Sequence, residues 1–535
     1  MDPLNTICVT DLPAPSTNGH QVESLAIVDP TAEDITSQFP ALVEQTLMVD
    51  SAGNPRYWIT VLDQFYSWAG THYEHVRTAD LQREIVRIAR STTAFKKVTV
   101  DERTEIVEYH PFTKPRCIEE ALKWFRQINV RDPEELNPPG LINCRNGVVR
   151  IKWDGAVPSV VLEQHDPFKH LFIDPPGLIY DPCADPANAE RLLGCLTPEG
   201  RRLFLQIIAS TLDIEAIRSL GHRIPALMLI GDGQNGKDTL REAVTRLHGT
   251  SCSATISISD WQQYEAGSGR GRFSIAPLDR ARLSIASENS GAFKIDNLQW
   301  LKAAITGDPI PVERKGVQGN DITPRAAFLF FLNSPPLLDG GSAAILSRWA
   351  VAHMPRSYST KPRAGQLKAD PRFKHDPEWL ATEVLPALLD LMLEALAQVA
   401  TDGFDLDACA ADLQQLREDT SHLHQFLRDA GYSIAGPADA VEAKQLWLDL
   451  QDWYRREGWL QPTRYGDWEH IETGDGDKPV KAERLLPKRL IGLHPSLRKV
   501  RETGQARRTL IYGLIKIGPK SDTKSEPNEE APLPY

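Results

Sequence analysis

The sequence predicts an α/β protein: a central parallel sheet with covering helices, a helical and α+β region before it, and a winged-helix-like unit after it. Three observations carry that prediction. Residues 224–350 alternate short β-rich runs with helical segments, the pattern of a parallel sheet wrapped by helices. The stretch IGDGQNGKDTL, 230–240, joins the apolar run IPALMLI to the helical pattern TLREAVTRLHG, as a strand, a glycine-rich turn and a helix should read. Between Lys478 and Lys520 twelve Lys and Arg stand against two acids, in a chain whose net charge is −12. That sign reversal is confined to the last fifth of the chain.

With 535 residues, 41% hydrophobic and 25% charged, the chain has room for several domains and at least one sizeable core. Its apolar runs, such as AAFLFFL at 326–332, are short against the roughly 20 residues that cross a bilayer. The start, MDPLNTICVTD, lacks the basic-then-apolar pattern of a signal peptide. A cytoplasmic protein with no membrane partner is the expectation. The seven cysteines stand singly, with no C-x-x-C pair and no nearby histidine. They support neither a zinc finger nor a disulfide scaffold and read as small buried hydrophobes.

Residues 1–40, rich in Pro, Ser, Thr and Asp without periodicity, read as a flexible leader. A small α+β module follows at 41–130, where YWITVL and KKVTVDE have the composition of strands. There TADLQREIVRIARS and IEEALKWFRQ repeat apolar residues at helical spacing. A further domain, 131–215, opens with NCRNGVVRI, a strand entered through an Asn-Gly turn. It wanders through the Pro-rich run 167–187 and closes on the helical NAERLLGCL and EGRRLFLQIIASTL. The core spans 216–415; its amphipathic PALLDLMLEALAQVA, with ADLQQLREDTSHLHQFLRDA after it, suits a helical lid. Residues 416–518 hold a long helix (AVEAKQLWLDLQDWYRREGW), a second near 481–491 and two strands about Thr503 and Gly504, the plan of a winged helix. Arg498, Lys499, Arg501, Arg507 and Arg508 would form its wing and meet DNA phosphates. Residues 519–535 read as a disordered tail.

The stretch 230–240 fits G-x-x-x-x-G-K through Gly231, Gly236 and Lys237. Here Gly231, Asp232, Gly233, Gln234, Asn235 and Gly236 precede Lys237, Asp238 and Thr239. In such a loop backbone N–H groups wrap phosphate oxygens, glycines permit the turns, and the lysine reaches the outer phosphates. The helix that follows points its positive end at the anion. A second signal is ARLSIASENS, an apolar strand ending at Glu288, a carboxylate able to orient an attacking water. A third is AAFLFFLNSPP, a strand ending at Asn333, whose uncharged amide can hydrogen-bond a terminal phosphate or the water without repelling either. Loop, acid and amide follow one another on three successive strands.

In that order, with LKAAITGDPIPVERKG between the acid and amide strands and ILSRWAV after them, the sequence resembles the superfamily 3 helicases. Within them it resembles the primase-helicases of phages, plasmids and large DNA viruses, over roughly 80–515. The resemblance implies an AAA+ type fold, a homo-hexameric ring, and 3′-to-5′ translocation on single-stranded DNA driven by ATP with Mg2+, forked DNA being the substrate. Carried over by position, it implies phosphate binding by Lys237, water polarisation by Glu288, and a sensor amide at Asn333. At Arg348 it implies an arginine finger that reaches the neighbouring subunit's nucleotide. It makes 302–316 a DNA-gripping element, where IPVERKG and the turn VQGND suggest a hairpin presenting Arg314 and Lys315 to phosphates.

Two departures from the family pattern matter. Asp238 stands where the loop normally carries a hydroxyl, and Ser287 where the acid strand normally carries the metal-side carboxylate. Either the two have exchanged roles, so that Mg2+ still meets one carboxylate and one hydroxyl, or Thr239 supplies the hydroxyl and Asp238 caps the helix. No stretch offers the paired acids of a primase site, so priming falls to a separate primase or polymerase. Beside a replicative helicase stand two other readings. One is a replication initiator or loader that melts origin DNA; the other is a winged-helix DNA tether whose nucleotide site acts as a switch.

Overall fold

The computed structural model describes residues 26–27, 35–100, 103–231, 233–267, 269–287, 298–314, 317–333, 348–463, 467–471, 479–502 and 508–517. The chain divides into two compact units, residues 1–182 with 245–252, and residues 183–244 with 253–535.

In the first unit, helix Ile35–Leu47 starts inside the segment expected to be a leader, because Phe39 and Val43 are fully buried. Their partners are the apolar faces of helices Thr78–Ser91 and Pro115–Ile128, which supply Leu81, Ile85, Ala121 and Phe125. Phe39 stacks on Phe112 with ring centroids 4.6 Å apart, and Trp58 meets Phe125 edge-on at 5.3 Å. Strands Trp58–Val61, Gln64–Trp68 and Tyr73–Val76 form one meander, and Leu141–Cys144, Gly147–Asp154 and Val157–Glu163 another. The expected Asn-Gly turn is the reversal between the first two strands of the second meander, with Cys144 opposite Gly147. Gly147 there has φ 148°, and a Cβ on it would come within 2.6 Å of the Glu163 carbonyl. Segment 245–252 joins this unit through buried Asp174, which accepts from the Ser251 N–H (3.0 Å), the Ser251 hydroxyl and the Thr250 hydroxyl (3.1 Å).

Among the described residues, the second unit is built on a five-stranded parallel sheet. Its strands are β1 (Ala226–Ile230), β2 (Ser253–Thr255), β3 (Leu283–Ser287), β4 (Ala327–Leu332) and β5 (Trp349–His353), in spatial order 2-3-4-1-5. The unbroken apolar runs ALMLI and AFLFFL explain why β1 and β4 lie at its centre: every residue of both is buried, as strands covered on two faces require. Helices α1 (Pro186–Leu193) and α2 (Pro198–Ser210) each start on a side-chain cap, Asp185 accepting from Ala187 N–H and Thr197 from Gly200 N–H. Gly200 lets α2 lie close on β5, since a Cβ there would stand 2.9 Å from the Ala352 Cβ. Phe328 and Phe330 of β4 pack against Trp261 and Trp349; truncating Phe330 to Ala would cost about 3–5 kcal/mol.

Three details differ from the sequence reading. The helical stretch Pro377–Asp402 is long and apolar enough to cross a membrane, longer than any single apolar run suggests, and 61% of its apolar window is buried inside the protein. The helical run after it breaks at Ser421 into Ala410–Thr420 and His422–Asp429. Residues VQGND, expected as a turn, lie in the return strand of the hairpin Ile310–Arg314/Val317–Ile322, with Val312 opposite Asn320 and Pro311 opposite Asp321. Burial of Ile310, Val312 and Ile322 sets that register; residues 315–316 lie outside the described residues.

Residues 422–517 gather around a core of their own. It takes Leu446, Leu450 and Tyr454 from helix Ala443–Arg456, Leu486 and Leu490 from helix Leu486–Leu493, and Ile511 from strand Thr509–Tyr512. Strand Arg498–Arg501 pairs antiparallel with Thr509–Tyr512; the tip at Thr503 and Gly504 and the tail 518–535 lie outside the described residues.

Candidate functional site

The site begins with strand register. Ile230 lies opposite Leu332 and Ser287 opposite Phe331, so the C-terminal ends of β1, β4 and β3 stand side by side with β4 in the middle. The Gly231 N–H donates to the Leu332 carbonyl at 3.2 Å and holds the start of the loop against the amide strand. Gln234 (φ 64°) and Gly236 (φ 88°) then take left-handed conformations that turn the chain into helix α3 (Lys237–His248). The Leu240 N–H to Gly236 carbonyl bond, 3.0 Å, opens the helix. A side chain at Gly231 would strike the Asn235 amide and come within 2.8 Å of the Met354 carbonyl, so only glycine fits there.

Lys237 turns its ammonium onto this junction. Its Nζ donates to the carbonyls of Gly231 (2.8 Å) and Leu332 (3.2 Å) and to Oδ1 of Asn333. Loop lysine and strand-end amide, 96 positions apart in sequence, are thus in contact. Asn235 is 3% exposed, and its Nδ2 has no hydrogen-bond partner among the described residues. Gly233 and Gln234 are exposed, and Asp232 lies outside the described residues. The Asp238 side chain is 82% exposed and pairs with Arg241 at 3.4 Å, while Thr239 is half-buried. Ser287 closes β3, though its side chain and all of Glu288 lie outside the described residues.

Arg348 is not brought to the loop. Its carbonyl accepts from the Ala226 N–H at 2.8 Å, which places it at the opposite, N-terminal edge of the sheet, and its Nε donates to the Thr306 hydroxyl at 3.2 Å. The length of β1 separates it from the loop of its own chain, five residues or about 17 Å. Arg314 closes the first strand of its hairpin, but its side chain and Lys315 lie outside the described residues. Arg498, Lys499, Arg501 and Arg508 are exposed, and Arg507 lies outside.

A cavity of about 1090 Å³ opens beside the loop, lined by Gly236 and Thr239 on one side and Cys195, Arg356 and Tyr358 on others. Sequence reasoning missed Arg356 and Tyr358. They follow β5, which pairs directly with β1, and the continuing chain is laced to the loop by Met354 N–H to Ile230 carbonyl and Tyr358 N–H to Gln234 carbonyl, each 2.8 Å. The available signal was their place just after ILSRWAV. Burial pushes the Cys195 thiol up to about 12, so it stays a neutral wall, and burial likewise raises Tyr358. Among the described residues no group of three or more His, Cys, Asp or Glu is placed to hold a metal ion.

Residues 229–348 match a protein family of unknown function, DUF5906, over the stretch that carries the loop, strands β2 to β4 and Arg348. No curated protein matches the chain significantly. Three apo structures of the NrS-1 C-terminal region are similar in part. One is 12% identical, covering 85% of this chain and 95% of that one with a TM-score of 0.39. A second, of residues 305–718, is 12% identical over 86% and 96% with 0.40, and a third is 14% identical over 89% and 99% with 0.40.

Proposed function

We propose that this chain is an ATP-hydrolysing DNA helicase of AAA+ type for the replication of a mobile element, working as a homo-hexameric ring that moves 3′-to-5′ on single-stranded DNA. One observation carries the reading: Lys237 and Asn333, on a glycine-rich loop and a neighbouring strand end, meet at the C-terminal edge of a parallel sheet, where such sheets bind ligands. There the lysine would hold the outer phosphates, the Asn333 amide would read the terminal one, and the start of α3 would add its positive end. Glu288, one residue beyond β3, is assigned to orient the attacking water.

Magnesium bound to a nucleotide takes most of its oxygens from phosphates and water and one or two from protein. Thr239, Asp238 and Ser287 are the candidate donors. The half-buried Thr239 lines the cavity with Gly236, whereas Asp238 faces solvent beside Arg241, which supports Thr239 as the hydroxyl and Asp238 as a residue of the helix's first turn. The metal would supply charge neutralisation on the phosphates. The exposed cations Arg498, Lys499, Arg501 and Arg508, on a hairpin after two helices, support a winged-helix contact to duplex DNA, and the hairpin whose first strand ends at Arg314 supports a contact in the ring channel. Priming is assigned to another chain.

Unwinding of forked duplexes bearing either tail polarity, with and without ATP, tests the reading. ATP-dependent displacement on the 3′-tailed fork is expected. DNA-stimulated hydrolysis without strand displacement would instead support an origin-melting initiator or loader, and nucleotide binding without hydrolysis a DNA tether with a switch.

A further inference from the structure

We propose that Arg356 is a nucleotide-binding residue acting within its own subunit: it grips the α-phosphate of a nucleoside triphosphate whose nucleoside fills the cavity beside the loop. The inference rests on the reading of the loop as a nucleotide site and adds where the non-reacting end of the nucleotide lies.

Direction comes first. The Lys237 ammonium points to the Leu332 carbonyl and Asn333, which marks that side as the place of the terminal phosphate. The cavity touches the loop on the far side, at Gly236 and at Thr239 in the first turn of α3. A triphosphate laid along the helix start with its outer end at Lys237 therefore brings its α-phosphate to the cavity mouth at Gly236, beside Arg356, and its nucleoside into the cavity. At about 1090 Å³ the space is large enough for one, since ligand pockets run to roughly 300–1,000 Å³.

Positioning comes second. Arg356 sits midway between two backbone anchors, Met354 N–H to Ile230 carbonyl and Tyr358 N–H to Gln234 carbonyl, so the loop and the segment bearing the arginine move as one piece. A guanidinium nitrogen lies 3.5 Å from where a Cβ on Gly194 would stand, and Arg356 lines the cavity together with Gly194 and Tyr358.

Charge comes third. The other arginines of the cavity are committed: Arg191 to Asp370 (2.5 Å), Arg201 to Glu190 (3.2 Å) and Arg202 to Asp405 (2.8 Å). Among the described residues no carboxylate pairs with Arg356, which leaves its planar fork for a phosphate, the geometry guanidinium matches best.

Equilibrium binding of fluorescent ADP and ATP to the full chain, with melting temperatures as a control for folding, tests this. In Arg356→Ala both dissociation constants should rise by about tenfold or more, and Arg356→Lys should fall between Ala and wild type. Unchanged affinities in Arg356→Ala, with wild type binding, would overturn the inference and leave the site reading intact; failure of wild type to bind either nucleotide would overturn the reading itself. Loss for ATP but not ADP would overturn the α-phosphate assignment. Subunits of Arg356→Ala mixed with Lys237→Ala should regain no hydrolysis, because no subunit then holds both groups; recovery would overturn action within one subunit.

Discussion

The C-terminal edge of the parallel sheet collects chemistry that its N-terminal edge lacks. At the first, Lys237, Gly231 and Asn333 are linked by direct hydrogen bonds, and Thr239 and Arg356 line the adjoining cavity. At the second, Arg348 leans on Thr306, and Arg218 is half-buried with a guanidinium nitrogen donating to the Pro324 carbonyl at 2.7 Å. Burial holds the Arg218 guanidinium below its usual pKa, a sign of a structural group. Gly307, at φ 86°, makes room for it, because a Cβ there would stand 2.5 Å from the guanidinium carbon. The contrast teaches that the two edges differ in kind: one gathers a glycine-rich loop, a lysine and an amide beside a cavity, while the arginines of the other are bonded to Thr306 and to the Pro324 carbonyl. Arg348 stands at the end of the sheet opposite its own loop, about 17 Å away along β1, so the proposed part in hydrolysis is one played on a neighbouring subunit.

The largest effect is expected from breaking either edge. Lys237→Ala and Arg348→Ala should each lower ATP turnover by about 10³-fold, the scale of a missing phosphate clamp or arginine finger. Mixing the two variants should restore part of the activity, because some interfaces then pair an intact loop with an intact arginine. No recovery, with mixed assembly verified, would make Arg348 structural and collapse the contrast. Glu288→Gln should be as inactive as Lys237→Ala yet keep nucleotide affinity, and a fully active Glu288→Gln enzyme would remove the acid from the site.

The next step sharpens the C-terminal edge. Thr239→Val should lower Mg2+-dependent turnover by about 100-fold, while Asp238→Ser, which only breaks an exposed ion pair with Arg241, should leave it within a few-fold. The reverse pattern, with partial rescue of Asp238→Ser by Ser287→Asp, would revive the exchange of roles between Asp238 and Ser287.

A smaller effect tests the N-terminal edge. Thr306→Val removes the hydrogen bond that orients Arg348, about 1 kcal/mol, and should slow turnover about fivefold without changing nucleotide affinity. An equal change in affinity would point to damage to the whole sheet.

The smallest effect on hydrolysis is expected far from both edges. Replacing Arg498, Lys499 and Arg501 by alanine should leave basal ATPase unchanged and lower the salt dependence of duplex binding by about one unit of slope for each DNA phosphate left unneutralised. Unaltered DNA affinity and slope would dismiss the strand as a wing.

Much of this arrangement is legible in local sequence because local physics governs it. The apolar runs ALMLI and AFLFFL have to be doubly covered strands, and the Gly231–Gly236 spacing has to be a turn into a helix. The basic cluster after Lys478 is visible as simple charge counting. Less legible is the start of the fold: Phe39 falls in the segment read as a leader, and its place in a helix shows only when helices Thr78–Ser91 and Pro115–Ile128 supply its partners. The turn in the 310–322 hairpin departs from its expected place for a similar reason, since burial of Val312 and Ile322 outweighs the turn propensity of Gly319 and Asn320.

By itself the sequence determined where the glycine-rich turn, its helix and the apolar strands lie and marked Lys237 and Asn333 as candidates on them, because periodicity, glycine spacing and charge act over a few residues. Only the tertiary structure decided who meets whom. Strand order 2-3-4-1-5 sets Asn333 against Lys237, sends Arg348 to the far edge and brings Arg356 beside the loop, since the partner of a strand is chosen by long-range burial and hydrogen-bond pairing that no local pattern encodes.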